Sequence, residues 1–327
     1  MPEGLYWRRR SSALAPLSRR AFLCRSGAAG LFGACLCNGA ALAQQAELPF
    51  REVADGIHVR YGLQEQMTSE NGGAIANIGF IVGEESVAVI DTGTTRQQGE
   101  ALLRAVGAIT DLPISHVIST HVHLDHCFGA AAFAETGARV VGHHRLPGSL
   151  AERGGFYLEQ IRALSPAFGD TEIVAPDMTV DERKDIDLGG RILTLTAWPA
   201  AHTDSDLTVL DARTGLLWAS DLLFVERIPV VDGSLLGWLG VMDGLKAPGV
   251  RSIMPGHGPL TDGADALERQ KQYLADLRDD VRAAIDDGLD ISETVAALAD
   301  SPRQKWLLQD ETHARNITTA YAELEWE

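Results

Sequence analysis

The stretch His121-Val122-His123-Leu124-Asp125-His126 places three imidazoles and one carboxylate within six residues. Residues 115–120, just before it, have the apolar pattern of a short buried strand, and residues 127–133 have that of the first turns of a helix. The cluster is therefore expected on a loop that a strand and a helix hold rigidly from both sides. Imidazole nitrogens and carboxylate oxygens together suit zinc and similar divalent ions, so the stretch predicts a metal site.

Composition and charge narrow the class of protein. The chain has 327 residues, and its apolar fraction of 45% is ordinary for a soluble globular protein. Six Arg against one Glu give residues 1–43 a local charge of +5, so the remainder of a chain of net charge −17 carries −22. A body this acidic repels phosphate backbones, which argues against nucleic acid as a partner. No apolar run reaches the roughly 18 residues that a membrane span requires.

Residues 1–43 are predicted to be an export signal. Ser18-Arg19-Arg20-Ala21-Phe22-Leu23 is a twin-arginine pattern, and the weakly apolar residues 27–43 end in Ala41-Leu42-Ala43, the small-x-small form of a cleavage site. Such a signal exports folded proteins, so a periplasmic location is predicted. An ordinary secretory signal or a basic tail is the alternative. Three of the four cysteines fall in this segment, which leaves Cys127 without a partner for an internal disulfide.

Residues 44–327 are predicted to form one domain. Strands, a helix, a strand, a helix and a strand are followed by strands and helices again, which indicates two similar halves, each a mixed sheet with helices outside. Residues 95–109 and 262–287 have the spacing of long amphipathic helices. Residues 145–166 are predicted to be irregular, because Gly154 and Gly155 interrupt a helical pattern.

Three later side chains are candidates to complete the metal set. His202 follows an apolar strand at residues 192–198, Asp221 follows one at 216–220, and His257 follows one at 252–256. A site for two ions needs more ligands than the first stretch supplies, and strand ends can present them on loops. We therefore predict that these three residues bind metal together with the first cluster.

Four neighbouring residues receive supporting roles instead. Asp91 is interpreted as holding a ligand histidine or its loop rather than binding metal. His143 and His144 follow a strand but are interpreted as rim or structural residues, because seven ligands already fill two sites. Cys127 is interpreted as a small buried residue at a helix start rather than a ligand.

This order of motifs resembles the metallo-β-lactamase superfamily of hydrolases over nearly all of residues 50–327. The first stretch is followed by a strand-end His, a strand-end Asp and a strand-end Gly-His, and Asp91-Thr92-Gly93 matches the superfamily's pattern after an early strand. More narrowly, the chain resembles the exported quinoprotein relay system zinc metallohydrolases. The resemblance implies a four-layer αββα sandwich with the site along one edge of its two sheets.

The resemblance also implies how the ligands divide between two metals. One metal would be bound by His121, His123 and His202, the second by Asp125, His126 and His257, and both by a bridging Asp221. Two zinc ions per chain are expected, with iron or a mixed pair as the alternative. Asp at position 221 departs from the Cys or Ser usual in true β-lactamases of this fold. His rather than Glu at position 123 favours zinc over the iron of the oxygen-reducing relatives.

The leading hypothesis is hydrolysis of an ester, thioester, lactone, lactam or similar small substrate by a hydroxide that bridges the metals, with Asp125 orienting it or accepting its proton. Three alternatives stay open: a β-lactamase proper, a sulfur-compound dioxygenase with a single iron, and a non-catalytic metal-binding accessory protein of a periplasmic quinoprotein dehydrogenase system. The side chains expected to line the substrate pocket are Met67, Tyr157, Phe224, Arg227 and Trp238. Arg227 is expected either to bind an anionic group or to lie at the surface.

Overall fold

The computed structural model describes residues 49–327. The predicted export signal, with its cleavage site and Cys24, Cys35 and Cys37, lies outside the described residues. The described part contains two β-sheets of seven and five strands. None of its helices is long and apolar enough to cross a membrane.

The first sheet keeps the order of the chain. Its strands are β1 (Arg51–Ala54), β2 (Ile57–Arg60), β3 (Ile78–Val82), β4 (Val87–Ile90), β5 (Ile114–Ile118), β6 (Arg139–His143) and β7 (Met178–Val180). Neighbours from β1 to β4 are antiparallel, whereas neighbours from β4 to β7 are parallel. Parallel neighbours require crossover connections, and helices supply them. These are α1 (Arg96–Ile109), α2 (Leu124–Cys127) with a 3₁₀ turn at Ala130–Phe133, and α3 (Leu146–Leu164).

The second sheet is an antiparallel meander with one parallel edge. Its strands are β8 (Arg183–Asp187), β9 (Ile192–Ala197), β10 (Leu207–Asp211), β11 (Leu216–Phe224) and β12 (Ser252–His257), with β11 between β10 and β12. The parallel pair β11 and β12 is joined through α4 (Leu235–Val241) and a 3₁₀ turn at Met242–Lys246. The chain then continues into α5 (Ala264–Asp286), α6 (Ile291–Leu298) and α7 (Gln309–Leu324).

Successive side chains along a strand point to opposite faces of the sheet, and this alternation separates the layers of the fold. In β3, Phe80 packs in a cluster with Leu102 and Val106 of α1, while the next residue, Ile81, faces the second sheet. Trp218 of the second sheet lies in that same inter-sheet cluster. The outer face of the second sheet packs against α4, α5 and α7. Helices therefore cover both outer faces, and the predicted αββα sandwich is confirmed.

Two local predictions differ from the structure. Residues 145–166 are not irregular, because α3 runs without a break through Gly154 and Gly155. Two glycines cost about 2 kcal/mol of helix propensity relative to alanine. The helix nevertheless buries one face, and Gly154 lies against the side chain of Ile173, so tertiary packing outweighs the low helix propensity of the glycines. The helical turn after β5 also begins at Leu124 rather than at Cys127, which places Asp125 and His126 on it.

Candidate metal centre

The seven predicted ligands meet at one edge of the two sheets. The first sheet contributes the loop and short helix after β5, which carry four of them. The second sheet contributes the loop after β9, an interior position of β11 and the last residue of β12. The side chains form two groups, His121, His123, His202 and Asp221 in one and Asp125, His126 and His257 in the other.

The first group converges on a point between three ring nitrogens. His123 Nδ1 lies 3.2 Å from His121 Nε2 and 2.9 Å from His202 Nε2. Asp221 Oδ2 lies 3.7 Å from His121 Nε2 and 3.3 Å from His202 Nε2. Ligands about 2.0–2.1 Å from a tetrahedral zinc ion are about 3.3 Å apart. The four atoms therefore have the spacing of one coordination sphere.

The second group shares the carboxylate of Asp221 with the first. Asp125 Oδ2 lies 3.8 Å from His126 Nε2 and 3.4 Å from His257 Nε2. Asp221 Oδ1 lies 3.1 Å from His126 Nε2, and its Oδ2 lies 3.5 Å from His257 Nε2. The bridging position expected for Asp221 thus agrees with the distances.

The second nitrogen of each histidine is held from outside the group. A carbonyl or carboxylate oxygen next to one ring nitrogen fixes the proton there and leaves the lone pair of the other nitrogen facing the cluster. For His121 the neighbouring oxygen is instead the hydroxyl of Thr120. These contacts are His123 Nε2–Asp232 Oδ2 at 2.8 Å, His126 Nδ1–Asp91 Oδ2 at 2.8 Å, His202 Nδ1–Val230 O at 2.7 Å, His257 Nδ1–Ile75 O at 2.8 Å and His121 Nδ1–Thr120 Oγ1 at 3.0 Å.

The unsatisfied atoms at the centre fit a pair of metal ions. His126 Nε2 and Asp221 Oδ1 are buried 3.1 Å apart, and among the described residues neither has a partner with the geometry of a hydrogen bond. Facing lone pairs and buried unpartnered polar atoms cost free energy unless a cation compensates them. The two His/Asp groups therefore fit a dinuclear metal site, although the bound metal and the role of each ligand stay predictions.

Electrostatics support the same arrangement. Burial, reinforced by the neighbouring His126, lowers the pKa of His121 well below its usual range, which keeps that ring neutral and able to bind metal. Burial alone would raise the pKa of Asp221, but His126 and His257 hold it well below its usual range. Burial likewise lowers the pKa of His126, yet Asp221, Asp91 and Asp125 raise it well above its usual range. The carboxylates thus favour a positive charge at His126 Nε2, which either a proton or a bound metal ion can supply.

Asp221 does not follow the end of a strand, contrary to the sequence prediction. Strand β11 continues to Phe224, and Asp221 lies inside it, after Ser220 with φ of 49°. This left-handed residue coincides with a shift in the register between β11 and β12. Asp91, with φ of 55°, is a second strained position at the site, and strain of this kind concentrates at functional sites.

Two residues that the sequence analysis missed shape the site. Gly256 lies against Asp221, because a Cβ on it would fall 1.7 Å from Asp221 Oδ1. The carboxylate of Asp232 contacts the ring of His123. It also accepts hydrogen bonds from Arg153 and, at 3.1 Å, from Arg315. The Gly256-His257-Gly258 sequence is a detectable signal for the first residue. Asp232 stands 109 positions after His123, and no local spacing pattern points to it.

A cleft of about 660 Å³ opens over the two groups. Residues of its wall include Met67, Arg153, Phe156, Tyr157, Phe224 and Arg227. Trp238, expected there, is instead fully buried and packs edge-on against the ring of His202, with its Nε1 donating to the carbonyl of Leu222. Arg227 is not a surface residue, since only 7% of it is exposed.

The residues expected to have supporting roles lie outside both groups. His143 Nε2 contacts the carbonyl of Trp198 at 3.1 Å, and its Nδ1 accepts from the backbone of Arg145. His144 stacks on His143. Cys127 is buried, and burial raises the pKa of its thiol well above the usual range, so it is not a ready thiolate ligand.

The model of the metallo-beta-lactamase superfamily matches residues 71–285. The chain belongs to this superfamily. The resemblance inferred from the sequence is confirmed at that level, whereas membership of the narrower quinoprotein relay system group stays a prediction.

Relatives of this superfamily chain include two curated proteins named coenzyme F420H(2) oxidase, from Methanothermobacter thermautotrophicus and Methanothermobacter marburgensis. They are 28% and 26% identical over 179 residues, which is 52% of this chain and 41% of theirs. The chain thus matches less than half the length of these relatives.

Solved structures show the same fold at low identity. A metallo-beta-lactamase from Pontibacter korlensis is 20% identical with a TM-score of 0.57, covering 70% of this chain and 99% of that one. The sec-alkylsulfatase Pisa1 from Pseudomonas sp. is 18% identical with a TM-score of 0.64, covering 87% of this chain and 52% of that one. At such identities the likeness concerns the fold alone.

Proposed function

We propose that this superfamily member is a hydrolase that uses two divalent metal ions, zinc by preference, on an ester, thioester, lactone, lactam or similar small substrate. The observation that carries the proposal is the position of Asp221, whose two carboxylate oxygens lie between the two histidine groups. A shared carboxylate is the arrangement that holds two ions close together for hydrolysis.

The residues of the site have separable roles in this proposal. Two bound ions would supply a water of lowered pKa and a Lewis acid for the substrate oxygen. In this proposal Asp125, which is 8% exposed and lines the cleft, either orients the attacking water or accepts its proton. Asp232 and Asp91 keep His123 and His126 in the orientation that binding requires. Met67 and Phe156 supply apolar surface to the wall of the cleft, against which an apolar part of the substrate would pack.

An oxidase is the second candidate, and the name of the curated relatives supports it. Such an activity requires a redox-active metal such as iron in the same ligand set, whereas zinc has no redox chemistry. His at position 123 supports zinc through the resemblance, since the relatives that reduce oxygen are expected to carry Glu there; imidazole itself suits both zinc and iron. The short match to those relatives leaves hydrolysis as the proposed reaction.

Metal content and turnover, measured on one sample, test the proposal. Protein purified from its native host is expected to contain about two zinc ions per chain and to hydrolyse at least one member of an ester, thioester, lactone, β-lactam and phosphoester panel. Iron together with substrate-dependent oxygen consumption would favour the oxidase. Full metal content without any turnover would favour the accessory protein of a quinoprotein dehydrogenase system.

Two ligand variants complete the test. His123→Ala and Asp221→Ala are each expected to abolish hydrolysis while the far-ultraviolet circular dichroism stays close to that of the wild type. Full activity with unchanged metal content in either variant would contradict the assigned site. Nitrocefin turnover at rates comparable with the best ester would identify a β-lactamase proper.

We also propose that residues 1–43 direct export to the periplasm by the twin-arginine route. The charge and the cleavage-site pattern support this location. Replacing Arg19 and Arg20 with Lys should retain the protein in the cytoplasmic fraction. Periplasmic recovery unchanged by that replacement would argue for another export route.

A further inference from the structure

Arg227 places a poorly satisfied cation beside the candidate metal centre. The residue is 7% exposed and lines the cleft, and its Nε is buried without a hydrogen-bond partner among the described residues. Burial lowers the pKa of Arg227, whereas Asp125 and Asp221 raise it. Taking a guanidinium out of water is costly unless an anion compensates it.

The nearest polar contact of this guanidinium does not satisfy it. Arg227 Nη1 lies 3.3 Å from His257 Nδ1, and that nitrogen also lies 2.8 Å from the carbonyl oxygen of Ile75. A carbonyl oxygen only accepts hydrogen bonds, so His257 Nδ1 must carry the proton. A protonated ring nitrogen cannot accept from Arg227, and the two groups are donors that face each other.

The carboxylates near Arg227 do not supply the missing partner. Among the described residues, the ion pairs of Asp125 and Asp221 are all with histidines, and Arg227 takes part in none. Under the proposed function, the negative charge of both carboxylates is already used by the metal ions. Two ions would add positive charge near the guanidinium and increase its need for an anion.

The other cations of the cleft differ from Arg227. Arg153 and Arg315 both contact the carboxylate of Asp232. Arg227 is therefore the cleft arginine, within the described part of the chain, that lacks an anionic partner. A guanidinium offers a planar set of donors that matches an oxyanion such as a carboxylate, sulfonate or phosphate.

We propose that Arg227 binds an oxyanion carried by the substrate, so that the preferred substrates of this site are anionic. This inference rests on the proposed hydrolytic function for its kinetic test. The substrate would be held by Arg227 through its anionic group while the bond to be cleaved lies over the metal ligands.

Two esters with the same scissile bond test the inference. 4-Nitrophenyl pentanoate is neutral, and mono-4-nitrophenyl glutarate differs from it by a terminal carboxylate. Arg227→Met is expected to lower kcat/KM for the glutarate ester roughly 10–100-fold, which is the effect of losing a charge-assisted hydrogen bond. The neutral ester should change less than about threefold, and Arg227→Lys should restore part of the loss. Arg213→Met, which removes an exposed arginine paired with Glu84 at the β10–β11 turn, is the matched control and should change neither.

A binding measurement separates this inference from the proposed function. Calorimetry on the metal-loaded protein is expected to show glutarate binding that weakens at least about tenfold in Arg227→Met. Pentane-1-sulfonate and pentyl phosphate in the same titration distinguish the oxyanions. If the wild type hydrolyses no substrate of the whole panel, yet glutarate binding weakens in Arg227→Met, the hydrolytic function fails and the anion site stands. Equal losses for both esters, or equal binding by wild type and variant, would overturn the anion site and leave the hydrolase.

Discussion

Gly256→Ala should disrupt the metal centre although it replaces none of the candidate ligands. Gly256 has no left-handed backbone angle, so alanine is acceptable to its backbone and the effect is steric. The added Cβ would lie 1.7 Å from Asp221 Oδ1 and 2.8 Å from the Asp221 amide nitrogen. Atoms of this kind do not approach closer than about 3.0 Å, so the carboxylate must move by about 1.3 Å or more. Metal–ligand distances tolerate only about 0.2 Å.

The expected result is a loss at both metal positions at once, because Asp221 lies against the histidines of both. Disturbing an outer partner of a ligand typically costs 10–100-fold in metal affinity, and displacing the ligand itself should cost at least about 100-fold. Overpacking should also lower the free energy of unfolding of the metal-free protein by about 1–3 kcal/mol.

Zinc competition with a chromogenic chelator measures the affinity, and thermal unfolding measures the stability. Gly148→Ala is the matched control, since a Cβ there would contact no atom within 4 Å. Two zinc ions bound to Gly256→Ala with wild-type affinity would refute the reasoning. So would an equal loss in the control.

Three further predictions concern the surroundings of the site and the fold. Asp232→Asn should weaken zinc binding at the His123 position about 10–100-fold, as chelator competition would show, and an unchanged affinity would contradict the role given to this carboxylate. Removing metal with a chelator should lower the Tm of the wild type, and adding zinc should restore it. The Tm of Asp221→Ala should respond little to either treatment, and equal shifts in both proteins would argue against the site. Burial alone would raise the pKa of Asp211, but hydrogen bonds from Arg191 and Thr214 lower it. Its stabilisation is therefore present above the unfolded-state pKa and is lost as the pH falls through the folded-state pKa. Asp211→Asn should cost about 3–5 kcal/mol at pH 7 in urea unfolding, and the gap to the wild type should narrow below about pH 4; a gap independent of pH would contradict this account.

The sequence predicted most of the layer order, because alternation in strands and the spacing of apolar residues in helices are local signals. Helices α1 and α5 occur close to where those patterns place them, at residues 95–109 and 262–287. Helix α3 was missed because the cost of its glycines is local, whereas the packing of Gly154 against Ile173 is not visible in the sequence. In the same way, a strand that continues past Asp221 depends on pairing with β12.

The seven candidate ligands were predicted because His and Asp are informative residue types when they are closely spaced or follow strands. Their outer partners were harder to predict, since these contacts join distant segments. Asp232 reaches His123 from a loop beyond β11, and Gly256 matters only because it lies against Asp221. Trp238 was assigned to the cleft from its position in the sequence, yet its side chain is enclosed behind His202.

The ligands of both groups come from both sheets, with Asp125 and His126 on the first and Asp221 and His257 on the second. Bound ions would therefore cross-link the sandwich along one margin, much as a disulfide ties two segments. Each sheet keeps its own backbone hydrogen bonds without metal. Metal removal should therefore weaken the contact between the two sheets before the strands within either sheet separate. Amide hydrogen exchange in the metal-free protein should then rise first at the carboxyl ends of β5 and β11, while the interior strands β9 and β10 stay protected.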